Sequence, residues 1–360
     1  MNKPAAEFEI DGKTIGLDHP TYFIADIGAN HDGELQRAKD LIKLAADAGA
    51  DAVKFQHFQA KSIVSDVGFR SMPAEAMSHQ SKWEKSVFEV YQAASVNPDW
   101  TEELKLASKA AGVSFFTTPY SYDLVDELDP HLPAYKIGSG DVSWPQYIEY
   151  VARKGKPTIL ACGAANAEDA DRAVQAALAV NEKVALLQCN TNYTASLENF
   201  KYIKLNVLKT FAAMYPGMIL GLSDHTPGHA TVLGAVALGG RIMEKHFTDD
   251  TTRTGPDHKF AMDPRTWRDM MDRTRELEMA LGDGIKKVED NEIDTVVVQR
   301  RGLRAKRDLA PGEVLTSADL EALRPCPRDG FAPYMEDRIV GKTLRSAVKQ
   351  GEHLTWAHLD

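Results

Sequence analysis

Between Tyr22 and Leu281 strand-like and helix-like stretches alternate eight times, and few architectures can absorb that pattern. The strand-like runs are Tyr22–Ile27, Ala52–Gln56, Val113–Thr117, Ala134–Ile137, Thr158–Ala161, Val184–Gln188, Ile219–Ser223 and Ile242–Lys245. Amphipathic stretches separate them, as where Leu35, Ala38, Ile42 and Ala45 fall on one helical face. Asn97-Pro98 and Asp263-Pro264 each put a capping side chain before a proline suited to the first helical position, and the last helix is expected to run to about Leu281. Such a chain reads as an α/β protein of the (β/α)8 TIM-barrel type, whose active site lies at the C-terminal ends of the strands. A doubly wound open sheet is the main rival. It is disfavoured because no GxGxxG follows the first strand and polar residues follow nearly every strand. Phe8 to Ile15 reads as a hairpin turning at Asp11-Gly12, placed to plug the bottom of a barrel.

Two regions depart from the tidy spacing. The segment His57 to Val96, with Met72, Pro73, Met77 and Trp83, is long enough for a lid or an interface loop. After Leu281 the charged stretch Lys286–Asp294 gives way to short β-prone runs broken by Pro311-Gly312, Pro325, Pro327 and Asp329-Gly330. The expected organisation is therefore a barrel over 1–285, a linker over 286–295 and a small β-rich domain over 296–360. Within the last, Asp308–Glu313 and Val314–Leu320 read as a turn, a strand and a short capped helix.

Composition restricts the partners. A net charge of -10 means that phosphate groups must be held by local clusters, and nucleic-acid binding is not expected. No apolar run approaches the roughly 18 residues that span a bilayer, and Met1–Ile10 lacks the regions of a signal peptide, so a cytoplasmic protein is expected. Cys162, Cys189 and Cys326 are odd in number and lack CxxC spacing, which indicates neither a disulfide framework nor a structural zinc site.

The polar residues at the strand ends are Asp26 with Asn30 and His31, Lys54 with Gln56, Thr117 and Thr118, Lys136 with Ser139 and Asp141, Asn190 to Tyr193, Ser223 to His225, and Glu244 to His246. In a barrel they converge on one mouth. A single histidine is more often a hydrogen-bonded core residue than a ligand, but His225 and His246 occupy the same slot on successive strands, beside Ser223, Asp224 and Glu244. Two imidazoles are too few for a closed zinc site. They suit a divalent ion with open positions, and manganese, which accepts imidazole and oxygen together, is preferred to magnesium. Lys54 and Lys136 with the hydroxyls of Thr118, Ser139 and Ser223 form the kind of cluster that grips a phosphate. Ser139 lies in Gly138-Ser139-Gly140, where backbone N–H groups can approach an anion. Asp26, Asp141, Glu244 and Asp257 could bind substrate hydroxyls, orient a metal's water or move protons.

The runs FIADIGANH (Phe23–His31), AGADAVKFQ (Ala48–Gln56), TTPY (Thr117–Tyr120), YKIGSGD (Tyr135–Asp141), GLSDHT (Gly221–Thr226), EKHFT (Glu244–Thr248) and GPDH (Gly255–His258) together resemble the sialic acid synthase family across essentially the whole chain. That resemblance implies condensation of phosphoenolpyruvate with an N-acylated mannosamine-type sugar to a nine-carbon 2-keto acid, on a (β/α)8 barrel followed by an antifreeze-like (SAF) domain. It implies that His225 and His246 bind the metal, and that Lys54, Thr118, Lys136, Ser139 and Ser223 hold phosphoenolpyruvate. Gln56, Asp141, Tyr193 and Asp257 are placed near the sugar or the metal's water. It further implies a domain-swapped homodimer in which Arg324 reaches the partner's sugar site. The chain departs from the pattern at Asp26 and Asp141, where glutamate is usual or common. It departs also at Ala161-Cys162-Gly163 in place of S-T-G and at Gln188-Cys189-Asn190 in place of H-C-T. These point to a subfamily using a modified 6-deoxy or diamino sugar. The alternatives are another phosphoenolpyruvate-dependent 3-deoxy sugar-acid synthase, a group that generally lacks the second domain, and a non-catalytic carbohydrate-binding barrel.

Overall fold

The computed structural model describes residues 2–73, 80 and 83–360. A hairpin of β1 (Glu7–Ile10) and β2 (Lys13–Gly16) comes first, turning through Asp11 and Gly12 at positive φ. Eight parallel strands follow: β3 (Tyr22–Asp26), β4 (Ala52–His57), β5 (Ser114–Pro119), β6 (Tyr135–Ile137), β7 (Thr158–Ala161), β8 (Val184–Cys189), β9 (Ile219–Asp224) and β10 (Ile242–His246). The pairing β10-β3-β4-β5-β6-β7-β8-β9 closes on itself, which excludes the open doubly wound sheet. Closure runs through β10 and β3, from Ile242 opposite Tyr22 to His246 opposite Asp26.

Successive strand residues point to opposite faces, so each barrel strand feeds two environments. One face packs against the helices, whose apolar stripes meet it; helix Leu35–Asp47 buries Ala38, Leu41, Ile42 and Ala45. Phe8, Ile10 and Ile15 of the hairpin belong to the same core. Lys13 is ion-paired with Asp51, just before β4 begins, and this places the hairpin at the N-terminal end of the strands, away from the mouth. Gly221 is required inside β9: a Cβ there would stand 1.9 Å from the carbonyl oxygen of Ile242 on the neighbouring strand.

The segment from His57 to Val96 carries short helices at Ala60–Ile63, Asp66–Ser71 and Val87–Ala94. Met72 is exposed there, and Met77 lies outside the described residues.

The chain divides into two compact units at Gly282 and Asp283. The second has its own core, including Leu303, Leu315, Phe331, Leu344 and Leu354, around the antiparallel pair β11 (Gly302–Ala305) and β12 (Leu320–Leu323). As the proline and glycine spacing suggests, Gly312 turns at positive φ and a capped 3-10 turn, Ser317–Asp319, precedes β12. The stretch read as a linker and first β-prone run is different: Asp290–Glu292 is a 3-10 turn that leads into a helix, Ile293–Gln299. The side chain of Glu292 caps the backbone N–H of Glu289, and this start signal outweighs the β propensity of Val296–Val298. No helix among the described residues is long and apolar enough to cross a membrane.

Candidate active site at the mouth of the barrel

A cavity of about 460 Å³ opens at the C-terminal ends of the barrel strands. Asp26, Lys54, Gln56, Thr118, Lys136, Ser139, Asp141, Tyr193, Ser223, His225, Glu244, His246 and Asp257 all line it. Arg324 does not; it is exposed on the second unit, just after β12. Strand register explains the convergence. Asp26 stands opposite Lys54 on one side and His246 on the other, and Glu244 stands opposite Ser223.

Two charged groups organise the floor. Asp26 Oδ2 accepts hydrogen bonds from Lys54 Nζ at 2.7 Å and Gln56 Nε2 at 3.0 Å, and His246 Nε2 lies 3.4 Å away. Its other oxygen accepts the backbone N–H of Gly28 at 3.0 Å. Burial by itself would raise this carboxyl, but the charges of Lys54 and His246 and the hydrogen bonds from Lys54 and Gln56 hold it well below the usual carboxylate range. Lys54 responds in the opposite sense: burial would lower it, and Asp26 and Glu244 raise it above an ordinary lysine. The shorter acid at position 26 therefore reaches its partners fully. The second group is Glu244, whose Oε1 accepts from Ser223 Oγ at 3.0 Å and lies 3.6 Å from Lys136 Nζ. Lys136 is pushed below the ordinary lysine value, chiefly by burial.

The histidines stand side by side, ring centroids 5.4 Å apart. His225 Nδ1 donates to the Asn190 carbonyl at 3.0 Å, and the thiol of Cys189 is also hydrogen-bonded to this imidazole. Tyr193 packs edge-on to His225 at 4.5 Å. Asp257 accepts the N–H of Ala29 at 2.9 Å and approaches His246 Nδ1 at 3.7 Å. Gly28 is needed here, since at φ +50° a Cβ would meet Asp257 Oδ2 at 2.6 Å and the His246 ring at 3.1 Å.

Five buried polar atoms on cavity-lining residues have no hydrogen-bond partner in the protein: Thr118 Oγ1, Asp141 Oδ2, Thr191 Oγ1, Glu244 Oε2 and His246 Nδ1. Buried polar groups are almost always satisfied, so such a concentration marks a place where a ligand completes the bonding. Asp141 is held up at about 6 by burial, partly offset by the charge of Lys136. Its folded pKa exceeds the unfolded value, so the fold prefers the neutral acid and loses that preference as pH rises through about 6. Asp141→Asn is accordingly expected to raise the Tm at pH 7. If the ionised carboxylate binds a substrate hydroxyl, the sugar KM rises as pH falls through 6, and the asparagine variant flattens that limb of the profile.

Several strand-end residues do other work. Asn30 Nδ2 donates to the Phe247 carbonyl and His31 packs edge-on to Trp100, both outside the cavity. Thr117 turns outward, to the Phe55 carbonyl and His57. Gln188 bonds the Ile203 carbonyl. Cys162, Cys189 and Cys326 are free thiols. Sequence reasoning passed over Cys189, Tyr120 and the cavity-facing residues of Val87–Ala94. Only the last carries a local signal, the spacing Val87, Val90, Tyr91, Ala94 behind the capping box of Ser86 and Glu89.

Comparison with known proteins follows the same division of the chain. Residues 41–286 match the NeuB family and residues 300–360 the SAF domain. The chain is 33% identical to an N,N'-diacetyllegionaminic acid synthase of Campylobacter jejuni over 92% of its own length and 98% of that protein. It is 31% identical to the enzyme of the same name from Legionella pneumophila, over 97% of each chain. The solved N-acetylneuraminic acid (sialic acid) synthetase of Leptospira borgpetersenii, in complex with citrate, superposes with a TM-score of 0.70 at 26% identity, covering 82% of this chain and 97% of that one.

Proposed function

The chain belongs to the NeuB family, and from that premise we propose that it condenses phosphoenolpyruvate with an N-acylated mannosamine-type sugar, giving a nine-carbon 2-keto sugar acid and phosphate. The observation that carries this reading is the pair of buried lysines in one cavity with unpartnered hydroxyl and carboxylate oxygens. An anionic enol phosphate adds negative charge beside Lys136, whose ion pair with Glu244 at 3.6 Å does not offset its burial, and Thr118, Ser139 and Ser223 bring hydroxyls to its oxygens. C3 of phosphoenolpyruvate forms the new bond to the aldehyde carbon of the open-chain sugar, and positive charge develops at C2. Water adds at C2, and the C2–O bond then breaks with release of phosphate. Asp26, kept anionic by Lys54 and Gln56, accepts the water's proton. The former aldehyde oxygen takes up a proton to become a hydroxyl, and the remaining C2 hydroxyl proton is lost as the keto group forms and phosphate departs.

A divalent ion forms part of the proposal. Among the described residues no three ligand-type side chains stand ready to hold one. The buried, unpartnered Nδ1 of His246 beside Asp257, with His225 adjacent, fits an ion that completes its sphere with water and substrate oxygen. His225 and His246 would hold it, manganese in preference to magnesium, and it would polarise the aldehyde oxygen. Chelation is expected to abolish turnover and lower the Tm, and manganese to restore both better than magnesium does.

The decisive measurement is phosphate release from phosphoenolpyruvate with a panel of N-acylated sugars. Oxygen-18 in the bridging position is expected to leave with phosphate, and its retention in the organic product overturns the scheme. The SAF domain argues against the other 3-deoxy sugar-acid synthases, and turnover with any sugar of the panel removes the non-catalytic reading. For the proposed homodimer, Arg324→Ala is expected to raise the sugar KM several-fold without changing that for phosphoenolpyruvate; an unchanged sugar KM removes Arg324 from the site. A cytoplasmic location accords with phosphoenolpyruvate as co-substrate.

A further inference from the structure

From Phe247 to Asp263, between β10 and the helix Pro264–Leu281, the chain has one 3-10 turn, His258–Phe260, and no strand beyond a bridge between Phe247 and Met262. A loop of that length inside a compact domain is usually functional. Its inner side reaches the cavity: Asp257 accepts the N–H of Ala29 at 2.9 Å, and the ring of Phe260 lies 4.9 Å from that of His246 and 5.6 Å from that of His225. His258, the next residue after Asp257, turns the other way and is wholly buried. Its Nδ1 pairs with Thr248 Oγ1 at 2.8 Å, and its Nε2 donates to Asp32 Oδ1 at 2.9 Å. A Cβ at Gly255 would stand 2.6 Å from that ring, so glycine is what lets the loop close over it.

Asp32 belongs to the turn between β3 and helix Leu35–Asp47, and it stands at φ +52°, in the left-handed region that an aspartate enters less readily than a glycine. Such a conformation persists where contacts over-determine it, and here the carboxylate makes them. Oδ1 takes His258, while Oδ2 accepts from Arg253 Nη2 at 3.0 Å and lies 3.0 Å from Arg37 Nε. Arg37 extends the junction, its guanidinium paired to both oxygens of Asp249 at 2.9 and 2.6 Å. None of Asp32, Arg37, Asp249, Arg253 and His258 lines the cavity. Resting on the reaction proposed above for the part Asp257 plays in it, we propose that Asp32 and His258 are positioning residues. Their hydrogen bond, with the Arg37–Asp249 pair beside it, clamps the 247–263 loop to the turn after β3 and fixes where Asp257 stands in the cavity. Asp257 and His258 share a peptide bond, so the carboxylate follows wherever the imidazole goes. The imidazole moves only if a buried N–H gives up its acceptor, and that is costly.

Glycine is at ease at φ +52°, so Asp32→Gly removes the carboxylate without disturbing the turn. In the full-length protein, with manganese and the best sugar of the panel, it is expected to lower kcat/KM for phosphate release roughly 10- to 100-fold, the range for losing a group that orients a working residue. Asp32→Asn, whose side-chain oxygen still accepts from His258, is expected to recover most of that loss. In an Asp257→Asn background Asp32→Gly is expected to cost nothing further, because a positioning residue has no effect once the group it positions is gone. A purely structural role lowers both backgrounds alike. Hydrogen exchange gives a readout independent of turnover: the Ala29 amide, which donates to Asp257, is expected to exchange at least about tenfold faster in Asp32→Gly while the amides of β4 to β8 keep their rates. An asparagine variant as poor as the glycine one, equal losses in the two backgrounds, or an Ala29 amide that exchanges at the unaltered rate each overturns the clamp while leaving the reaction in place. If the unaltered protein releases no phosphate with any sugar, the reaction falls, and the Ala29 amide alone decides the clamp.

Discussion

Lys245→Met is expected to cost the fold about 3–5 kcal/mol, the usual penalty for leaving one half of a buried ion pair alone. Lys245 and Asp224 are 1% and 2% exposed, stand opposite each other on β10 and β9, and are joined directly through Nζ and Oδ2. Asp224 also accepts from the hydroxyls of Thr226 and Thr231, both at 2.7 Å. Methionine matches the lysine stem in length but leaves that carboxylate buried with only neutral donors, the two hydroxyls and the backbone N–H of Thr226. Each member of the pair precedes one of the two histidines and points to the other side of its strand, so the pair joins the two strand ends behind the site. Chemical denaturation reads the loss, and the double variant Asp224→Leu with Lys245→Met is expected to recover most of it, since an apolar pair carries no unmet charge. A single-variant loss below about 1 kcal/mol, the range of exposed pairs, would show that water already reaches the pair.

Lys136→Met is expected to do the reverse. The ammonium is fully buried, donates to the Ile137 carbonyl at 3.0 Å and lies at 3.6 Å from Glu244, and burial holds its pKa below that of a free lysine. The fold therefore bears a cost for keeping it charged. Glu244, 3.6 Å away and not in hydrogen-bond contact with it, keeps the hydroxyl of Ser223 and the nearby charge of Lys54 when the ammonium is gone. The Tm of the variant is accordingly expected to be unchanged or higher. Against a buried anionic substrate the same charge is worth about 2–5 kcal/mol, so kcat/KM for phosphoenolpyruvate is expected to fall by roughly 30- to several-thousand-fold. A fall in Tm of many degrees with normal kinetics in the surviving protein would make Lys136 a structural residue.

Much of the site was legible because barrel strands are short, local and written in apolar runs, and because their ends must face one mouth. Asp26, Lys54, Lys136, Ser223, Glu244 and the two histidines follow from that rule alone. Alternation along a strand was the harder part. Thr117 and Thr118, or Asp224 and His225, are neighbours in the chain, yet one of each pair faces the helices and the other the cavity. A one-residue uncertainty in where a strand starts exchanges them. Asn30 and His31 failed for a related reason: the chain turns after β3 and carries both away from the mouth.

The sequence by itself determined the eightfold alternation, the second domain, the strand-end inventory and the family, because each is carried by contiguous residues. Only the tertiary structure decided which charges meet, that the shorter Asp26 still reaches Lys54 and Gln56, that Cys189 joins His225, and that an amphipathic helix from the segment after β4 walls the cavity. These facts depend on register around a closed sheet and on how a loop packs over it. Such contacts join residues far apart in the chain, and no local pattern encodes them.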